Sequence, residues 1–488
     1  MAGSIQAKIE DQRLKEAVLE TARLVRRAGG RALLVGGAVR DAALGRPVRD
    51  VDIEVYGIPP ERLEKILSRR FSLDRVGKSF GVLKLRGFPI DVSLPRREWK
   101  LGTGHRGFLV QSEPFISYEE AASRRDFTIN SMAWDPLTSE LLDPYGGLED
   151  LQNRILRHTS PKFVEDPLRV LRGMQFAARF DLTAAPETIE LCKRITMEDL
   201  PRERVFEEWK KLILFGVRPS RGLQFLADCT WIRYYPELEA LRGCRQEPSW
   251  HPEGDVWVHT LHCMDAFAGE RIGEAWEDLV VGFAVLCHDF GKPATTKVVE
   301  GRIRSLGHEE AGAQPTRSFL GRMTNSEDFI EQVVVLVTHH LRPQQLYEAR
   351  AGDSAIRRLA RRVGRIDRLV RVARADQLGR PGMPFDGFPA GKWLLERAQE
   401  LAVKDSAPKP IVLGRHLIAL GLKPGPHFKP ILDACYEAQL DGRITNLQEG
   451  IAFAKSLIDS GSVPAPRRER CTGRKEGPEG GSPESSRP

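Results

Sequence analysis

The chain of 488 residues is 41% hydrophobic and 29% charged, which excludes a fibre and, at about 100–200 residues per domain, predicts roughly two to four consecutive globular domains. A formal net charge of +7 and a pI near 9.0 suit a polyanionic partner such as nucleic acid without requiring one. The seven cysteines are scattered and form no CxxC pair, so a reducing cytoplasm is expected rather than a disulfide or zinc-knuckle scaffold.

In chain order, residues 1–29 mix acids and bases where a secretory signal needs an apolar core. Leu14, Val18 and Val25 recur there at helical spacing, predicting an amphipathic N-terminal helix. A head is expected over 30–155. It opens with the apolar run Ala32-Leu33-Leu34-Val35, ended by Gly36-Gly37 and followed by a helical stretch to Gly45. Short β-rich segments at 51–55, 81–85 and 90–94, with a helical stretch at 61–70, predict an α+β head built on a mixed sheet with helices. The stretch 96–120 carries Arg96, Arg97, Lys100 and Arg106 among glycines and reads as a flexible or solvated loop. From Asp166 onward helical patterns dominate. They predict an all-helical neck at 156–244, a histidine-rich helical unit at 245–400 and further C-terminal helices at 401–459. Residues 460–488, rich in Gly, Pro, Ser, Arg and Glu, read as a disordered tail. The longest apolar run, Leu279 to Cys287, is too short to span a bilayer.

Asp50 and Asp52 stand two apart at the head of a β-rich run, so their carboxylates face one side. Paired carboxylates suit Mg²⁺, which leaves its remaining positions to water and triphosphate oxygens, and Asp91 on another expected strand offers a third. A lone Asp-x-Asp is a weak signal. The preceding Gly36-Gly37 strengthens it, because glycines let a backbone approach a triphosphate and the following helix presents its N-terminal amides there, with Arg40 as a charged fork.

Gly36-Gly37-x-Val39-Arg40-Asp41 followed by Asp50-x-Asp52 resembles the first motif of the class II tRNA nucleotidyltransferases and bacterial poly(A) polymerases, which implies a head of the DNA polymerase beta type. Arg124-Arg125-Asp126-Phe127-Thr128-Ile129-Asn130 is similar to the second motif, which implies that Arg125 contacts the triphosphate and Asp126 the ribose hydroxyl. Asp143-Pro144-Tyr145-Gly146-Gly147 looks like the third, a hinge between head and neck. Glu165-Asp166-Pro167-Leu168-Arg169-Val170-Leu171-Arg172 resembles the fourth; one departure is Gln175, where some relatives carry a further arginine.

The fourth motif also has a chemistry of its own. In a helix, Asp166 and Arg169 are i,i+3 neighbours with Arg172 one turn further on, which can be no more than a surface ion pair. Yet adenine and cytosine both present an amino donor beside a ring-nitrogen acceptor, and a carboxylate beside a guanidinium matches that pattern and not that of guanine or uracil. The expected reaction is template-independent addition of C and A to the 3′ end of tRNA or another RNA, from CTP and ATP, by two-metal in-line attack of the 3′-hydroxyl. Arg202, Arg204, Lys210, Lys211, Arg218 and Arg221 are candidates for a phosphate-binding face in the neck.

Seven of the eleven histidines lie between His251 and His340. Imidazoles with carboxylates suit a divalent transition metal. His259, His288-Asp289 and Asp376 resemble the ligand pattern of the HD phosphohydrolases, with His308 and either His339 or His340 as further candidates; the resemblance implies a metal-dependent phosphohydrolase. Addition of CC only, of A only, or poly(A) synthesis shares the head motifs. A rival of another class is an HD phosphohydrolase whose head merely binds RNA. No membrane or obligate protein partner is indicated.

Overall fold

The computed structural model describes residues 8–76, 82–100 and 108–460. The expected N-terminal helix is α1 (Gln12–Arg27), with Leu14, Val18 and Val25 buried in its apolar stripe and Arg26 and Arg27 in its last turn. The Asp11 carboxylate starts it by accepting from the amides of Arg13 and Leu14 at 2.8 and 3.2 Å, satisfying two N–H groups that a helix end leaves without partners.

The head is built on β1 (Arg31–Val35), α2 (Gly37–Ala43), β2 (Val51–Tyr56), α3 (Pro60–Leu67), β3 (Leu73–Val76), β4 (Val82–Leu85) and β5 (Ile90–Ser93). With β8 (Ala133–Trp134) and β9 (Leu141–Leu142) the strands form a mixed seven-stranded sheet in the order β3-β4-β5-β2-β1-β8-β9. Only β2 and β5 pair in parallel among these neighbours. Strict alternation along β2 buries Val51, Ile53 and Val55 on one face and turns Asp52 and Glu54 to the other.

Between β5 and β8 the structure departs from the expected loop at 96–120. A hairpin, β6 (Arg96–Lys100) with β7 (Phe108–Ser112), pairs Arg96 with Ser112 through Lys100 with Phe108, and the short helix α4 (Tyr118–Ala122) follows, capped by Ser117. Trp99, Phe108, Leu109 and Val110 carry the β preference that the neighbouring glycines and arginines obscured. Arg106 lies outside the described residues.

The remainder is mainly helical: α5 (Gly147–Gln152), α6 (Leu168–Phe180), α7 (Pro186–Lys193), α8 (Arg202–Phe215), α9 (Pro219–Asp228), α10 (Val256–Gly269), α11 (Ala275–Cys287), α12 (Glu327–Val337) and α13 (Ile366–Leu378) are its principal helices around the sites. Two small sheets interrupt what was expected to be all helix. β10 (Ile155–Leu156) pairs with β11 (Thr183–Ala184). β12 (Lys297–Val299) pairs with β13 (Arg302–Arg304) across Glu300 and Gly301, at φ 51° and 75°, a two-residue turn whose positive φ values match the twist of a hairpin.

By internal contact the described residues divide into two compact units, one reaching residue 349 and resuming at 367–395, the other formed by residues 350–366 with those from 396 onward. The second has its own core of Val412, Leu417, Ile431, Cys435, Ala438, Ile444 and Ala454. No helix among the described residues is long and apolar enough to cross a membrane, and Cys192, Cys229, Cys244, Cys263, Cys287 and Cys435 are free thiols. The tail read from 460–488 lies, beyond Ser460, outside the described residues.

Candidate functional site

The parallel register of β2 and β5 sets Asp52 directly beside Asp91, and Asp50 immediately precedes β2 on the exposed side. The three predicted carboxylates therefore meet at one end of the sheet. Partial desolvation and then the charges of Asp91, Asp50 and Glu54 raise the Asp52 pKa, against the opposing pull of Arg125. A carboxyl held above its usual range by neighbouring acids is an electrostatically stressed group that a cation would relieve. Lys84, paired with Asp91 at 3.3 Å, supplies partial compensation.

Val35, the last residue of β1, lies opposite Asp52, so the Gly36-Gly37 turn leaves the sheet at the same end as the acids. Gly36 has φ 66° and ψ −125°, a conformation open essentially to glycine alone. A Cβ there would stand 3.2 Å from Nη1 of Arg125. Gly36→Ala is expected to cost about 1–3 kcal/mol of stability and to raise the KM for nucleotide by displacing Arg125. Urea denaturation and steady-state kinetics on the same sample read both, and an unperturbed variant would refute the role given to the turn.

Arg125 reaches Glu54 at 3.4 Å. Arg40 lines the cleft as well, but its guanidinium is committed. It donates to Asn130 Oδ1 at 2.5 Å and Asp41 Oδ1 at 2.9 Å and lies 4.4 Å over the Phe180 ring. The arrangement makes it a buried brace under the turn, not the free fork expected from the sequence. Asp126 is also buried, accepting from Phe127 N and Asn130 Nδ2 through one oxygen and from Arg172 Nε at 2.7 Å through the other. Burial opposes its ionisation, but Arg172 and the hydrogen bonds outweigh that and hold the carboxyl below its usual range.

Asp166 does not lie in the helix, as the i,i+3 reading assumed. The backbone there is extended, and α6 begins at Leu168, whose amide the Asp166 carboxylate accepts at 3.0 Å. Pro167, lacking an N–H and pre-set in φ, makes this a natural helix start. Arg169 is held by donation to the carbonyls of Lys162 and Arg124 at 2.7 and 2.6 Å. Gly36, Gly37, Arg40, Asp52, Arg125, Asp126, Asp166, Arg169 and Arg172 thus surround one cavity of about 490 Å³. Sequence reading missed its Asn130, Phe176 and Arg179; Asn130 closes the second motif, and the others lie on the same helical face as Arg172. Gln175 lines the cavity too, buried, with its Oε1 making no hydrogen bond.

The proposed basic face of the neck is not continuous. Lys211 pairs with Glu208 at 2.8 Å, Lys210 pairs with Glu207, and Arg218 and Arg221 gather around Asp181 at 3.7 and 3.3 Å. Arg202 reaches Asn325 at 3.4 Å. Arg204 and Lys211 line the cleft.

A second cluster lies among the helices. His259, His288, His308 and His340 each turn Nδ1 to a backbone carbonyl, those of Gly379, Val285, Ser305 and Val337, at 3.2, 2.7, 2.8 and 2.7 Å. Only a protonated Nδ1 can donate there, so the tautomer that makes these bonds leaves a bare Nε2 lone pair on each ring. Those lone pairs converge. Nε2 of His308 faces Nε2 of His340 at 3.4 Å, and Nε2 of His259 lies 3.1 Å from Asp376 Oδ1. Nε2 of His288, though 3.2 Å from Asp289 Oδ2, makes no hydrogen bond and is buried. Acceptors facing acceptors in a buried site are a donor set for a cation.

Three groups among the described residues have ligand atoms close enough for one ion: His259, Cys263, His288 and Asp376; Asp289, His308 and His340; and His251, Glu253 and His259, which shares His259 with the first. His339 turns elsewhere, with Nδ1 at 2.8 Å from Thr338 Oγ1 and 2.9 Å from the Val335 carbonyl; of the two neighbours, His340 joins the cluster. Lys292 pairs with Asp289 at 2.7 Å and Arg380 with Asp376 at 2.8 Å. Against the opposing effect of burial, His288 and Lys292 hold Asp289 well below the usual carboxylate range, and Arg380 and His259 do so for Asp376. The cluster opens into a cavity of about 610 Å³ bordered by Trp250, Arg302 and Arg304.

The profile of the poly A polymerase head domain matches residues 32–157. The chain is 38% identical over 438 residues to the multifunctional CCA protein of Xanthomonas campestris pv. campestris (strain B100), covering 87% of this chain and 98% of that one. It is 37% identical over 388 residues to the multifunctional CCA protein of Stenotrophomonas maltophilia (strain R551-3), covering 77% and 92%. Among solved structures, the Bacillus stearothermophilus CCA-adding enzyme in complex with CTP is similar with a TM-score of 0.62 at 23% identity, over 92% of this chain and 98% of that one. The Thermotoga maritima CCA-adding enzyme complexed with tRNA-CCA has a TM-score of 0.57 at 18% identity, over 94% and 98%. These structural likenesses establish a shared fold.

Proposed function

Because the chain belongs to the family of the multifunctional CCA proteins, we propose that its head cleft adds C, C and A in order to tRNA 3′ ends, using CTP and ATP. The observation that carries this assignment to the cleft is the convergence of Asp50, Asp52 and Asp91 beside the Gly36-Gly37 turn, with Asp166 and Arg169 lining the cavity that Asp52 borders. Asp50 and Asp52, with Asp91 beside them, would hold divalent cations, magnesium in this reading. Cations held there would supply the charge that favours ionisation of the RNA 3′-hydroxyl and departure of pyrophosphate.

The chain's own residues do the rest. The Gly36-Gly37 turn lets triphosphate oxygens approach the backbone, and Arg125, beside it, pairs with their charge. Asp126, kept ionised by Arg172, is the acceptor for a ribose hydroxyl. The Asp166 carboxylate accepts from the exocyclic amino group of adenine or cytosine while Arg169 donates to the adjacent ring nitrogen, so side chains replace a template. Labelled CTP and ATP supplied to tRNA transcripts ending before CCA, after C and after CC test the reading. Ordered addition of two C and one A is expected; long A tracts on any RNA would make the enzyme a poly(A) polymerase instead.

The inward-facing Nε2 atoms favour a second reading beside the first: the histidine cluster is a metal-dependent phosphohydrolase site, with His259, His288, Asp289 and Asp376 as principal ligands and His308 and His340 next to them. A divalent transition metal bound there supplies Lewis acidity toward a phosphoryl oxygen. Lys292 and Arg380 hold the carboxylates in place, and Arg302 and Arg304 border the cavity where an anionic substrate enters. Asp289→Ala is expected to lower both tightly bound metal per chain, by elemental analysis, and hydrolysis of a nitrophenyl phosphate ester, each by about tenfold or more. Retention of both would remove this reading.

A further inference from the structure

Cys263 stands one helical turn beyond His259 on α10, so the two side chains share a face. Its Sγ is fully buried and lies 3.3 Å from His259 Nε2, while that same nitrogen is 3.1 Å from Asp376 Oδ1. Ligand atoms about 2.0–2.3 Å from a tetrahedral cation stand roughly 3.3–3.8 Å from one another, and the ligand atoms of His259, Cys263, His288 and Asp376 all fall within 4.8 Å. They come from α10, the C-terminal end of α11 and α13. His288 Nε2, buried and without a hydrogen bond, is the independent sign that this position faces a ligand. His259 is oriented as a ligand would be, with Nδ1 turned to the Gly379 carbonyl at 3.2 Å and to Glu253 Oε1 at 2.8 Å.

Room for the sulfur is built in. A Cβ on Gly379 would lie 2.2 Å from Sγ, so the backbone of residue 379 closes directly over the thiol and holds it toward the cluster. Sequence reading treated Cys263 only as one of the scattered cysteines, although its i,i+4 spacing from His259 was visible, because His288 and Asp376 come from distant helices.

On the reading that the histidine cluster binds metal, we propose that Cys263 is a thiolate ligand of the cation held by His259, His288 and Asp376, while Asp289 belongs to the neighbouring group with His308 and His340. Thiolate and carboxylate together neutralise a divalent charge, which a buried site requires. Sulfur ligation favours zinc or cobalt over magnesium, whose preferred ligands are oxygens. The thiol proton leaves to solvent as the metal binds. The cluster then discriminates by ligand type against the cations suited to the head carboxylates, so one chain keeps two different metals apart.

The full-length protein, stripped of metal and titrated with Co²⁺, tests this by absorption spectroscopy. The intense visible bands of four-coordinate cobalt are expected together with a sulfur-to-cobalt charge-transfer band in the near ultraviolet. Cobalt on the head carboxylates, being oxygen-ligated, contributes no such band. In Cys263→Ser the charge-transfer band is expected to vanish, with Co²⁺ binding at least about tenfold weaker, and circular dichroism checks that the variant is folded. Cys263→Ala serves as a second variant should the serine disturb packing. Four-coordinate cobalt bands without charge transfer in the wild type would overturn the thiolate while keeping the metal site. A charge-transfer band that survives in the variants would assign it to another cysteine. Absence of any cobalt bound to the cluster would overturn the metal-site reading itself.

Discussion

Asp52→Asn is expected to lower incorporation of both C and A onto tRNA by about a thousandfold or more while leaving the protein as stable as the wild type or more so. Loss of a cation that stabilises the reacting phosphate removes several kcal/mol, and each ~1.4 kcal/mol is about a factor of ten in rate. The stability half of the prediction follows from the raised pKa of Asp52. A carboxylate whose folded pKa lies above its unfolded value destabilises the fold at every pH where it is ionised, so neutral asparagine relieves the repulsion from Asp91, Asp50 and Glu54. Activity with CTP and ATP and the thermal midpoint, measured on one preparation, separate loss of chemistry from loss of fold. Substantial activity in the variant would exclude Asp52 from the reaction.

The second large effect is expected in base choice. Asp166→Ala and Arg169→Ala each remove one half of a donor–acceptor pair that is worth about 1–3 kcal/mol of discrimination, roughly 5- to 150-fold. The ratio of kcat/KM for CTP over UTP is expected to fall by that factor, chiefly through slower use of CTP. Arg169 is positioned by the carbonyls of Lys162 and Arg124, so its alanine variant loses a pre-aimed group and not a wandering one. Asp166→Ala also removes the bond to the Leu168 amide and so carries a capping cost of about 1 kcal/mol. Asp166→Asn keeps an acceptor for that amide while losing the negative charge, and comparison of the two separates helix start from base recognition. An unchanged ratio in all these variants would place selection elsewhere in the cleft.

What could be read beforehand was local. The path from β1 through Gly36-Gly37 into α2, and the shared face of Asp50 and Asp52, follow from turn chemistry and strand alternation over a few residues. Asp91 was recognisable as a strand acid, but its position beside Asp52 depends on a parallel pairing that no local pattern encodes. The commitment of Arg40 to Asn130 and of Arg172 to Asp126 was hidden for the same reason: the partners are 90 and 46 residues apart. Asp166 was misread although Asp before Pro is a helix-start signal, because the i,i+3 spacing of charges was given priority. The hairpin of β12 and β13 likewise had its Glu300-Gly301 signal, overlooked within a helical region. His339 and His340 point about 100° apart where the helix ends, and packing selects the second.

The order in which the chain leaves the ribosome gives the two sites different histories. The last residue lining the head cleft is Lys211, whereas the histidine cluster is closed by Asp376, 117 positions after His259. At about 5–20 residues per second, a nascent chain carries every residue of the head cleft for roughly 8–33 s before that aspartate is synthesised. His259, His288, His308 and His340 are added in turn during that interval, and all four are in the chain only from residue 340 onward, still without the carboxylate that completes their site. Completion of the histidine cluster therefore follows that of the head cleft during synthesis, and chains cut short anywhere between these two points retain the residues of one site and lack an essential part of the other.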